Sequence, residues 1–542
     1  MINVNELMRR GFLVSPSLVK EKNIDEKVFD KLEKLKDKPL VINNNIYNTL
    51  KNSNEFSIDI SWKEFDKSRV FYEKNKNNKD YKVFLEILNY NLNEESKISV
   101  DKILKQVSMP QEHKIEEDII GPNIIVVKEY KENIKKREVQ DFVQHFRVRY
   151  NLLKNILINR PELKECISIN RVLNKNNNEK VSIIGLIMDK RTTKNGNIII
   201  NIEDMTGKII CIVGKNKKEL FYLAQDLVFD QVIGLNGTCS NNIIFVNDIF
   251  LPDIPTNNQI KKINEDHYIV FTGDIHAGSK MFLEKDFVNF IEWLNGNYGT
   301  EEQKEIASKV KFLFLAGDLI EGVGIYPGQE NDLLIKDIKK QYEFLTNYLI
   351  KLRKDIKIII IGGNHDSLRL AEPQPRLHPT YAKSLYELEN TTILSNPSMV
   401  NIFSSRDFDG FNVLLYHGSS FPYLADTVES VRINGRLDRA DLIMKHSLQA
   451  RHLAPTHNSV QYIPENDEDS LVIDKVPDFY VSGHIHKVTA LNYRGVTMIG
   501  SGCWTEQTED QEKRGIVPDP SKVIVISLKT REVKVFNFGE NE

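Results

Sequence analysis

The sequence predicts an α/β protein in which a layered C-terminal domain follows a small all-β domain. Its 542 residues exceed the roughly 250 to 300 at which one hydrophobic core stops growing, so we expect several domains. Short apolar runs that end in glycine-containing polar motifs recur from residue 268 onward, and residues 180–253 contain short strands broken by turn residues. With 41% hydrophobic and 27% charged residues, the composition excludes a fibrous or largely disordered chain.

The first half of the chain is predicted to contain two domains joined by a linker. Residues 1–50 are expected to form a small helical domain, and residues 51–118, rich in Asn, Lys and Glu, a polar linker. Residues 119–256 are expected to form a helix followed by a β-barrel. The helix is predicted over residues 141–160, and its apolar face carries Phe142, Phe146, Tyr150 and Leu153.

The barrel is predicted from short strands separated by turn signals such as Asn195-Gly196, with a helix-like insert at residues 217–227. This pattern is typical of a small Greek-key barrel of the OB type. Such barrels bind single-stranded nucleic acid through exposed aromatic side chains. The few aromatic residues here are expected to lie mostly in the core: Phe221, Tyr222, Phe229, Phe245 and Phe250. We therefore expect a structural or protein-docking role for the barrel.

Residues 257–542 are predicted to form the layered α/β domain. Five apolar runs each end in a polar motif: HYIVFTGDIHAG, VKFLFLAGDLIEG, IKIIIIGGNHD, FNVLLYHGSS and DFYVSGHIHK. Such runs are typical of strands buried on both faces, and residues 284–310 and 330–354 between them have helical spacing. Since α/β folds place ligands at the carboxyl ends of their strands, we expect the polar motifs to meet there.

These motifs supply the ligand types of a binuclear metal centre. Two-metal hydrolysis of phosphate esters needs oxygen and imidazole ligands, a carboxylate shared by both ions, and an activated water. One histidine after a strand is usually a capping or packing residue, but five motifs in this order favour a site. The candidate ligands are Asp274, His276, Asp318, Asn364, His417, His484 and His486. Preceding glycines predict a close approach of the backbone: Gly273, Gly317, Gly363 and Gly483.

The order GDIH, GDLIEG, GGNHD, YHG and GHIH resembles the calcineurin-like metallophosphoesterase superfamily. The resemblance implies a layered β-sandwich flanked by helices and two divalent metal ions, with manganese expected and iron or zinc as alternatives. It implies that one metal is bound by Asp274, His276 and His486. It implies that the other is bound by Asn364, His417 and His484, with Asp318 as the bridge. His365 would then be the catalytic residue beside the scissile phosphate.

Further segments are similar to the small subunits of archaeal family D DNA polymerases: DSLRLAEPQPRLHP, QARHLAPTH, GCWTEQTEDQ and the helix DFVQHFRVRYNLLKNIL. This resemblance covers roughly residues 120–542. It implies a 3′-to-5′ proofreading exonuclease that acts on single-stranded or mismatched DNA ends within a complex with a large catalytic subunit, and through that complex with a sliding clamp. In the first segment, Arg369 and Arg376 are candidate contacts to DNA phosphates.

Other functions fit the same core. They are a scaffold subunit with a silent site, a free-standing phosphatase or cyclic-nucleotide phosphodiesterase, and a repair nuclease. The scaffold hypothesis must explain seven intact ligands, and the phosphatase hypothesis must explain the sequence ahead of the layered domain. A net charge of −3 indicates that a partner supplies much of the grip on DNA. No apolar run approaches the roughly 18 residues needed to span a bilayer, so we expect a cytoplasmic protein.

Overall fold

The computed structural model describes residues 13–14, 41–42, 122–175, 178–508, 511–512 and 516–539. The chain divides into two compact units, residues 1–119 and residues 120–542. In the first unit, strands β1 (Leu13–Val14) and β2 (Val41–Ile42) pair in parallel. Apart from these strands, the predicted helical domain and the predicted linker lie outside the described residues.

The second unit begins with strand β3 (Ile124–Glu129), helix α1 (Val139–Leu157) and helix α2 (Ile169–Leu173). A closed barrel follows, with strands β4 (Glu179–Thr192), β5 (Ile198–Asp204), β6 (Gly207–Val213), β7 (Val232–Ser240) and β8 (Ile243–Phe250). They pair in the order β4-β5-β6-β8-β7, and the predicted insert is helix α3 (Lys218–Asp226). Alternate residues fill the barrel, because successive strand side chains point to opposite faces: on β5 these are Ile198, Ile200 and Ile202.

Three of the five aromatic residues of the barrel are exposed, so the prediction that most of them are core is wrong. The exposed fractions of Tyr222, Phe229 and Phe245 are 63%, 39% and 48%. Phe245 lies on β8 between the buried residues Ile244 and Val246. Strand alternation therefore turns the Phe245 side chain outward, although an aromatic side chain would favour burial.

The C-terminal domain contains the strands β9 (Tyr268–Thr272), β10 (Val310–Ala316), β11 (Lys357–Ile361), β12 (Thr391–Ile393), β13 (Ser398–Ile402), β14 (Phe411–Leu415), β15 (Phe479–Ser482), β16 (Val488–Tyr493), β17 (Val496–Ser501), β18 (Lys522–Ser527) and β19 (Val533–Asn537). They form two six-stranded sheets, ordered β12-β11-β10-β9-β18-β19 and β16-β17-β15-β14-β13-β3. Strands β9 to β12 are parallel. The five motif-bearing strands are thus divided between the sheets, three in the first and two in the second.

Strand β3 is an unexpected member of the second sheet, because it precedes the barrel in sequence. It pairs antiparallel with β13, with Ile124 opposite Ile402 and Glu129 opposite Ser398. Helix α1 continues from it to the barrel, where the Tyr150 hydroxyl donates to Ile184 O at 3.0 Å. The chain therefore enters the C-terminal sandwich before it forms the barrel.

The helices of the C-terminal domain are α4 (Glu284–Leu294), α5 (Glu301–Ser308), α6 (Ile338–Leu349), α7 (Pro379–Tyr386), α8 (Phe421–Thr427), α9 (Glu429–Ile433) and α10 (Ala440–Ala450). Helices α4 to α7 pack on the outer face of the first sheet, and α8 to α10 on the outer face of the second. Between the sheets lies a third apolar layer, in which the Phe271 ring stacks on Phe314 at 4.9 Å. The layered sandwich with helices on both outer faces and the closed barrel confirm the predicted fold class for the part of the chain that the structure describes.

The predicted helical segments 284–310 and 330–354 are longer than the helices found. The first divides into α4 and α5, since Gly296 and Gly299 adopt φ of +84° and +93° in the turn between them. Thr300 then caps α5, and its side chain accepts a hydrogen bond from Gln303 N at 3.3 Å. In the second segment the α-helix is α6, which ends at Leu349. Among the described helices, none combines the length and the apolar composition needed to cross a membrane.

Candidate metal centre

The predicted ligands all follow the carboxyl ends of strands. The first sheet places four of them after β9, β10 and β11: Asp274, His276, Asp318 and Asn364. The second sheet places three after β14 and β15: His417, His484 and His486. Hydrogen bonds join the two sets, since His484 N donates to Asp274 Oδ1 at 2.9 Å and His417 Nδ1 lies 2.9 Å from Ala316 O at the end of β10. The two sheets therefore meet at one site.

Five of these ligands have a left-handed backbone. Their φ angles are +47° for Asp274, +53° for His276, +47° for Asp318, +71° for His484 and +55° for His486. For a residue other than glycine this conformation costs about 1 to 3 kcal/mol, and such residues concentrate at functional sites. The turn that each makes directly after its strand brings its side chain into the site.

Two of the predicted glycines are required by close packing against ligand carboxylates. A Cβ atom at Gly483 would lie 2.5 Å from Asp274 Oδ2, and one at Gly363 would lie 2.2 Å from Asp318 Oδ1. Both distances are shorter than any real carbon–oxygen contact of this kind. A side chain at either position would therefore displace a ligand.

The first ligand group consists of Asp274, His276 and His486. His276 Nε2 lies 3.2 Å from His486 Nε2, and His486 Nε2 lies 3.5 Å from Asp274 Oδ1. The three residues are buried, and their ligand atoms all lie within 4.8 Å of one another. This is the spacing of atoms that can bind one cation.

The second ligand group consists of Asp318, His417 and His484, again within 4.8 Å of one another, together with Asn364. Asn364 Oδ1 lies 3.0 Å from His417 Nε2. Asp318 Oδ2 lies 3.2 Å from His417 Nε2 and 3.9 Å from His276 Nε2 in the first group. The Asp318 carboxylate therefore lies between the groups.

The surroundings of His417 stabilise a positive charge. Its Nδ1–H donates to Ala316 O at 2.9 Å, since a carbonyl only accepts, and Nε2 faces the oxygens of Asn364 and Asp318. Burial lowers the pKa of His417, but Asp318, Asp274 and the Ala316 carbonyl together outweigh burial and raise that pKa to about 10. A cation between these atoms would satisfy all three at once.

Burial also shifts the pKa values of other members of the centre. Burial raises the pKa of Asp274 to about 7 and lowers the pKa of His484 to about 3. The pKa of Asp318 is held well below its usual value, because His417 and His365 outweigh the effect of burial. Carboxylate, amide and imidazole groups at these distances, most of them buried, fit divalent metal ions.

His365 lies against the first group. Its Nδ1–H donates to Glu321 O at 2.8 Å, and its ring meets the His276 ring edge-on with centroids 4.6 Å apart. Burial lowers the pKa of His365. The structure also brings one atom each of His276, Glu321 and His365 within 4.8 Å, so His365 is close enough to act at the centre.

Two carboxylates that position the centre were not predicted. Glu321 Oε2 accepts a hydrogen bond from His276 Nδ1 at 2.9 Å. Asp366 Oδ2 accepts from Gly363 N at 2.8 Å, and Asp366 Oδ1 accepts from the Tyr342 hydroxyl at 3.0 Å. Glu321 lies in the motif GDLIEG and Asp366 in GGNHD, so each is close in sequence to a candidate ligand. That closeness is the sequence feature from which a supporting role could have been predicted.

The two candidate DNA contacts, Arg369 and Arg376, are engaged in ion pairs with residues at and just after β3. Arg369 pairs with Glu132, and its Nη2 donates to Pro373 O at 2.6 Å. Arg376 Nε and Nη2 both donate to the Glu129 carboxylate at 2.5 Å. Arg376 remains half exposed. Contact of either guanidinium with DNA stays a prediction.

Comparison with known proteins identifies two domains. The family of calcineurin-like phosphoesterases matches residues 267–488. The OB-fold nucleic acid binding domain matches residues 181–247. The first match spans all five motifs from GDIH to GHIH and with them all seven candidate ligands, and the second match spans most of the closed barrel.

Relatives align over most of the chain. A DNA polymerase II small subunit of Methanothermobacter thermautotrophicus is 42% identical over 74% of this chain and 80% of its own length. That of Pyrococcus horikoshii is 36% identical over 84% of this chain and 72% of its own length. That of Archaeoglobus fulgidus is 35% identical over 80% of this chain and 84% of its own length. The predicted resemblance is confirmed: the chain belongs to the family of DNA polymerase II small subunits and contains a calcineurin-like phosphoesterase domain.

Proposed function

We propose that this chain is the 3′-to-5′ proofreading exonuclease subunit of a two-subunit DNA polymerase. The observation that carries the proposal is the position of Asp318, whose Oδ2 lies 3.2 Å from His417 Nε2 and 3.9 Å from His276 Nε2. A carboxylate shared between two ligand groups is the arrangement that two-metal hydrolysis requires. A silent scaffold would not need it.

Asp274, His276 and His486 would bind one divalent ion, and Asn364, His417 and His484 the other, with Asp318 between them. When bound, the ions would supply a nucleophilic water at neutral pH and stabilise charge on the phosphoryl oxygens. Manganese is the expected metal, with iron or zinc as alternatives, because oxygen and imidazole ligands accept all three.

His365 would act on the substrate itself. Its Nδ1 is committed to Glu321 O, so its Nε2 is the nitrogen left for the reacting phosphate or the leaving oxygen. A positioned donor at that point stabilises the charge that develops in the transition state. Because Glu321 also accepts from His276 Nδ1, one residue would hold both the metal ligand and the catalytic histidine.

DNA polymerase activity would belong to a large catalytic subunit, since the relatives are named as small subunits. The substrate would be a single-stranded or mismatched 3′ end presented by that complex, which would also bring the chain to a sliding clamp. The barrel could contribute to DNA binding, because exposed aromatic side chains such as Tyr222 and Phe245 offer stacking surfaces.

The test is cleavage of 5′-labelled DNA by the purified chain with manganese. Single-stranded DNA and duplexes with a mismatched or a paired 3′ end are compared with a phosphomonoester. We expect a ladder of products shortened from the 3′ end, fastest for unpaired ends, and a block by a phosphorothioate in the terminal linkage. Hydrolysis of the monoester alone would instead identify a phosphatase, and no hydrolysis with both metals bound would identify a scaffold.

A further inference from the structure

We propose that residues 371–376, the segment AEPQPR, form a support loop that positions His417 and thereby sets the affinity of the second metal site. The inference rests on the proposed function, because it assigns a role within the same centre. The residues that carry it are two buried amides, Gln374 and Asn396, and one buried acid, Glu372. Each connects the support loop to the main chain at His417.

The amide pair provides the direct connection. Asn396 Oδ1 accepts the backbone N–H of His417 at 2.9 Å, and Asn396 Nδ2 donates to Gln374 Oε1 at 2.7 Å. Gln374 Nε2 in turn donates to Arg369 O at 2.8 Å and to Gly363 O at 3.4 Å. The chain of bonds thus joins His417 in the second sheet to the backbone next to Asn364 in the first.

This connection is rigid for two reasons. Gln374 is 1% exposed and Asn396 is 0% exposed, so water does not compete for their hydrogen bonds. The same two residues also pair through their backbones, with Gln374 N donating to Asn396 O at 2.7 Å and Asn396 N donating to Gln374 O at 3.0 Å. Side-chain and backbone hydrogen bonds therefore connect the backbone at His417 to the backbone next to Asn364.

Glu372 supports His417 through the preceding residue, Tyr416. Its Oε2 accepts the hydroxyl of Tyr416 at 3.0 Å, and Tyr416 directly precedes His417. The same hydroxyl accepts the backbone N–H of Ser420 at 3.1 Å, three residues after His417. Glu372 therefore braces the turn that carries the ligand.

Helix α1 holds the support loop in place. Glu372 N donates to Gln461 O and Ile463 N donates to Glu372 O, both at 2.8 Å, so Tyr462 lies in a strand-like pairing with the loop. The Tyr462 ring packs against three side chains of α1, with the His145 ring stacked on it at 5.4 Å and the others edge-on: Phe142 and Phe146. The loop thus links the second metal site to the helix that leads into the barrel.

The first ligand group is held by different contacts. His276 Nδ1 bonds to Glu321 Oε2, and His486 Nδ1 lies 2.9 Å from Gln511 Nε2. Weakening the support loop should therefore affect the two metal sites unequally. Removing a residue that orients a metal ligand typically lowers metal affinity about 10- to 100-fold.

The experiment compares Gln374→Met with Gln231→Met in the full chain. In both variants methionine, a side chain of nearly the same shape, replaces a glutamine that is 1% exposed. Gln231 is the control because it lies in the barrel just before β7, where its Oε1 accepts a hydrogen bond from Val228 N at 3.2 Å. Manganese is titrated into metal-free protein, and free Mn²⁺ is counted by electron paramagnetic resonance. We expect two tight ions for the wild type and Gln231→Met. For Gln374→Met we expect one tight ion and a second weakened about 10- to 100-fold.

A second variant covers the case in which Gln374→Met fails to fold. Asn396→Asp keeps the acceptor for His417 N but places an oxygen against Gln374 Oε1, and we expect the same selective loss of the second ion. Two ions of unchanged affinity in either folded variant, or equal weakening of both ions, would overturn the inference. Absence of tight metal binding in the wild type would overturn the proposed function instead, so the two failures are distinguishable.

Discussion

The backbone N–H of His365 donates to Asp318 Oδ1 at 2.8 Å. The residue proposed to act on the phosphate is thus tied to the carboxylate between the ligand groups through its main chain and not through its imidazole. The imidazole makes a separate bond, from Nδ1 to Glu321 O. Changing the side chain at position 365 therefore leaves the bond to Asp318 in place.

His365→Ala should keep its metals and lose turnover. Asp318 retains its hydrogen bond from the backbone, so both ions should bind as in the wild type, whereas loss of a positioned donor costs about 10² to 10⁴-fold in rate. Metal analysis and single-turnover cleavage of single-stranded DNA measure the two effects together. Loss of metal would make His365 a ligand, and undiminished cleavage would show that it has no part in the chemistry.

Glu321→Gln should weaken the first ligand group. An amide cannot accept from His276 Nδ1, the Tyr326 hydroxyl and Gln329 Nε2 as the carboxylate does. We expect metal affinity or activity to fall about 10- to 100-fold, as measured by Mn²⁺ titration and cleavage rate. Glu330→Gln, in the same loop but exposed, is the control and should match the wild type. Equal metal affinity and cleavage rate in the two variants would show that Glu321 does not support the metal ligands.

Asp469→Asn should destabilise the protein in a pH-dependent way. Asp469 is 0% exposed and accepts from Arg149 Nε of helix α1 at 2.7 Å and from His452 Nε2 at 3.1 Å. Burial raises its pKa, but these partners outweigh burial and hold the pKa well below its usual value. Breaking one partner of a buried pair costs about 3 to 5 kcal/mol, which we expect for the free energy of unfolding at pH 7.

The sign of the pH effect follows from the lowered pKa. Asp469 stabilises the fold above the pKa of an unfolded aspartate, about 4, and this contribution is lost as pH falls towards the lower pKa of the folded state. Denaturant unfolding of wild type and Asp469→Asn should therefore differ most near neutrality and converge in acid. Asp467→Asn, two residues away and exposed, should match the wild type throughout. A difference that persists unchanged in acid would contradict the ionised pair.

Deletion of residues 1–118 should leave the complex with the large subunit intact. We expect docking through the barrel and phosphoesterase domains, which form one compact unit that begins at residue 120. Size-exclusion chromatography of the truncated and full-length chains with the large subunit measures this. Dissociation of the truncated chain alone would place the docking surface in the first 118 residues.

The ligands could be predicted because each motif is local. Asp274 and His276, for example, lie directly after one buried strand, and the carboxyl ends of such strands meet by the geometry of the fold. Their supports were harder to predict. Gln374 and Asn396 are 22 positions apart, and His417 is a further 21 positions from Asn396. Nothing in the local pattern of these residues indicates that they contact one another.

Two fold features were missed for the same reason. The pairing of Ile124 on β3 with Ile402 on β13 is determined by tertiary contacts. The sequence of β3 itself is a short apolar run that does not indicate its partner strand. The exposure of Phe245 depends on the register of β8 within the barrel, which residue type alone does not give. Strand existence was predictable, whereas partner and facing direction were not.

In the proposed function, Asp318 joins two metal sites into one nuclease centre. The most direct measurement is the metal content of wild type and Asp318→Ala after loading with Mn²⁺, paired with single-turnover cleavage of DNA that has a mismatched 3′ end. We predict two ions and cleavage from the 3′ end for the wild type. For Asp318→Ala we predict a folded protein with sharply reduced metal content and no detectable cleavage. Full activity of Asp318→Ala with unchanged metal content would show that Asp318 does not join the two metal sites.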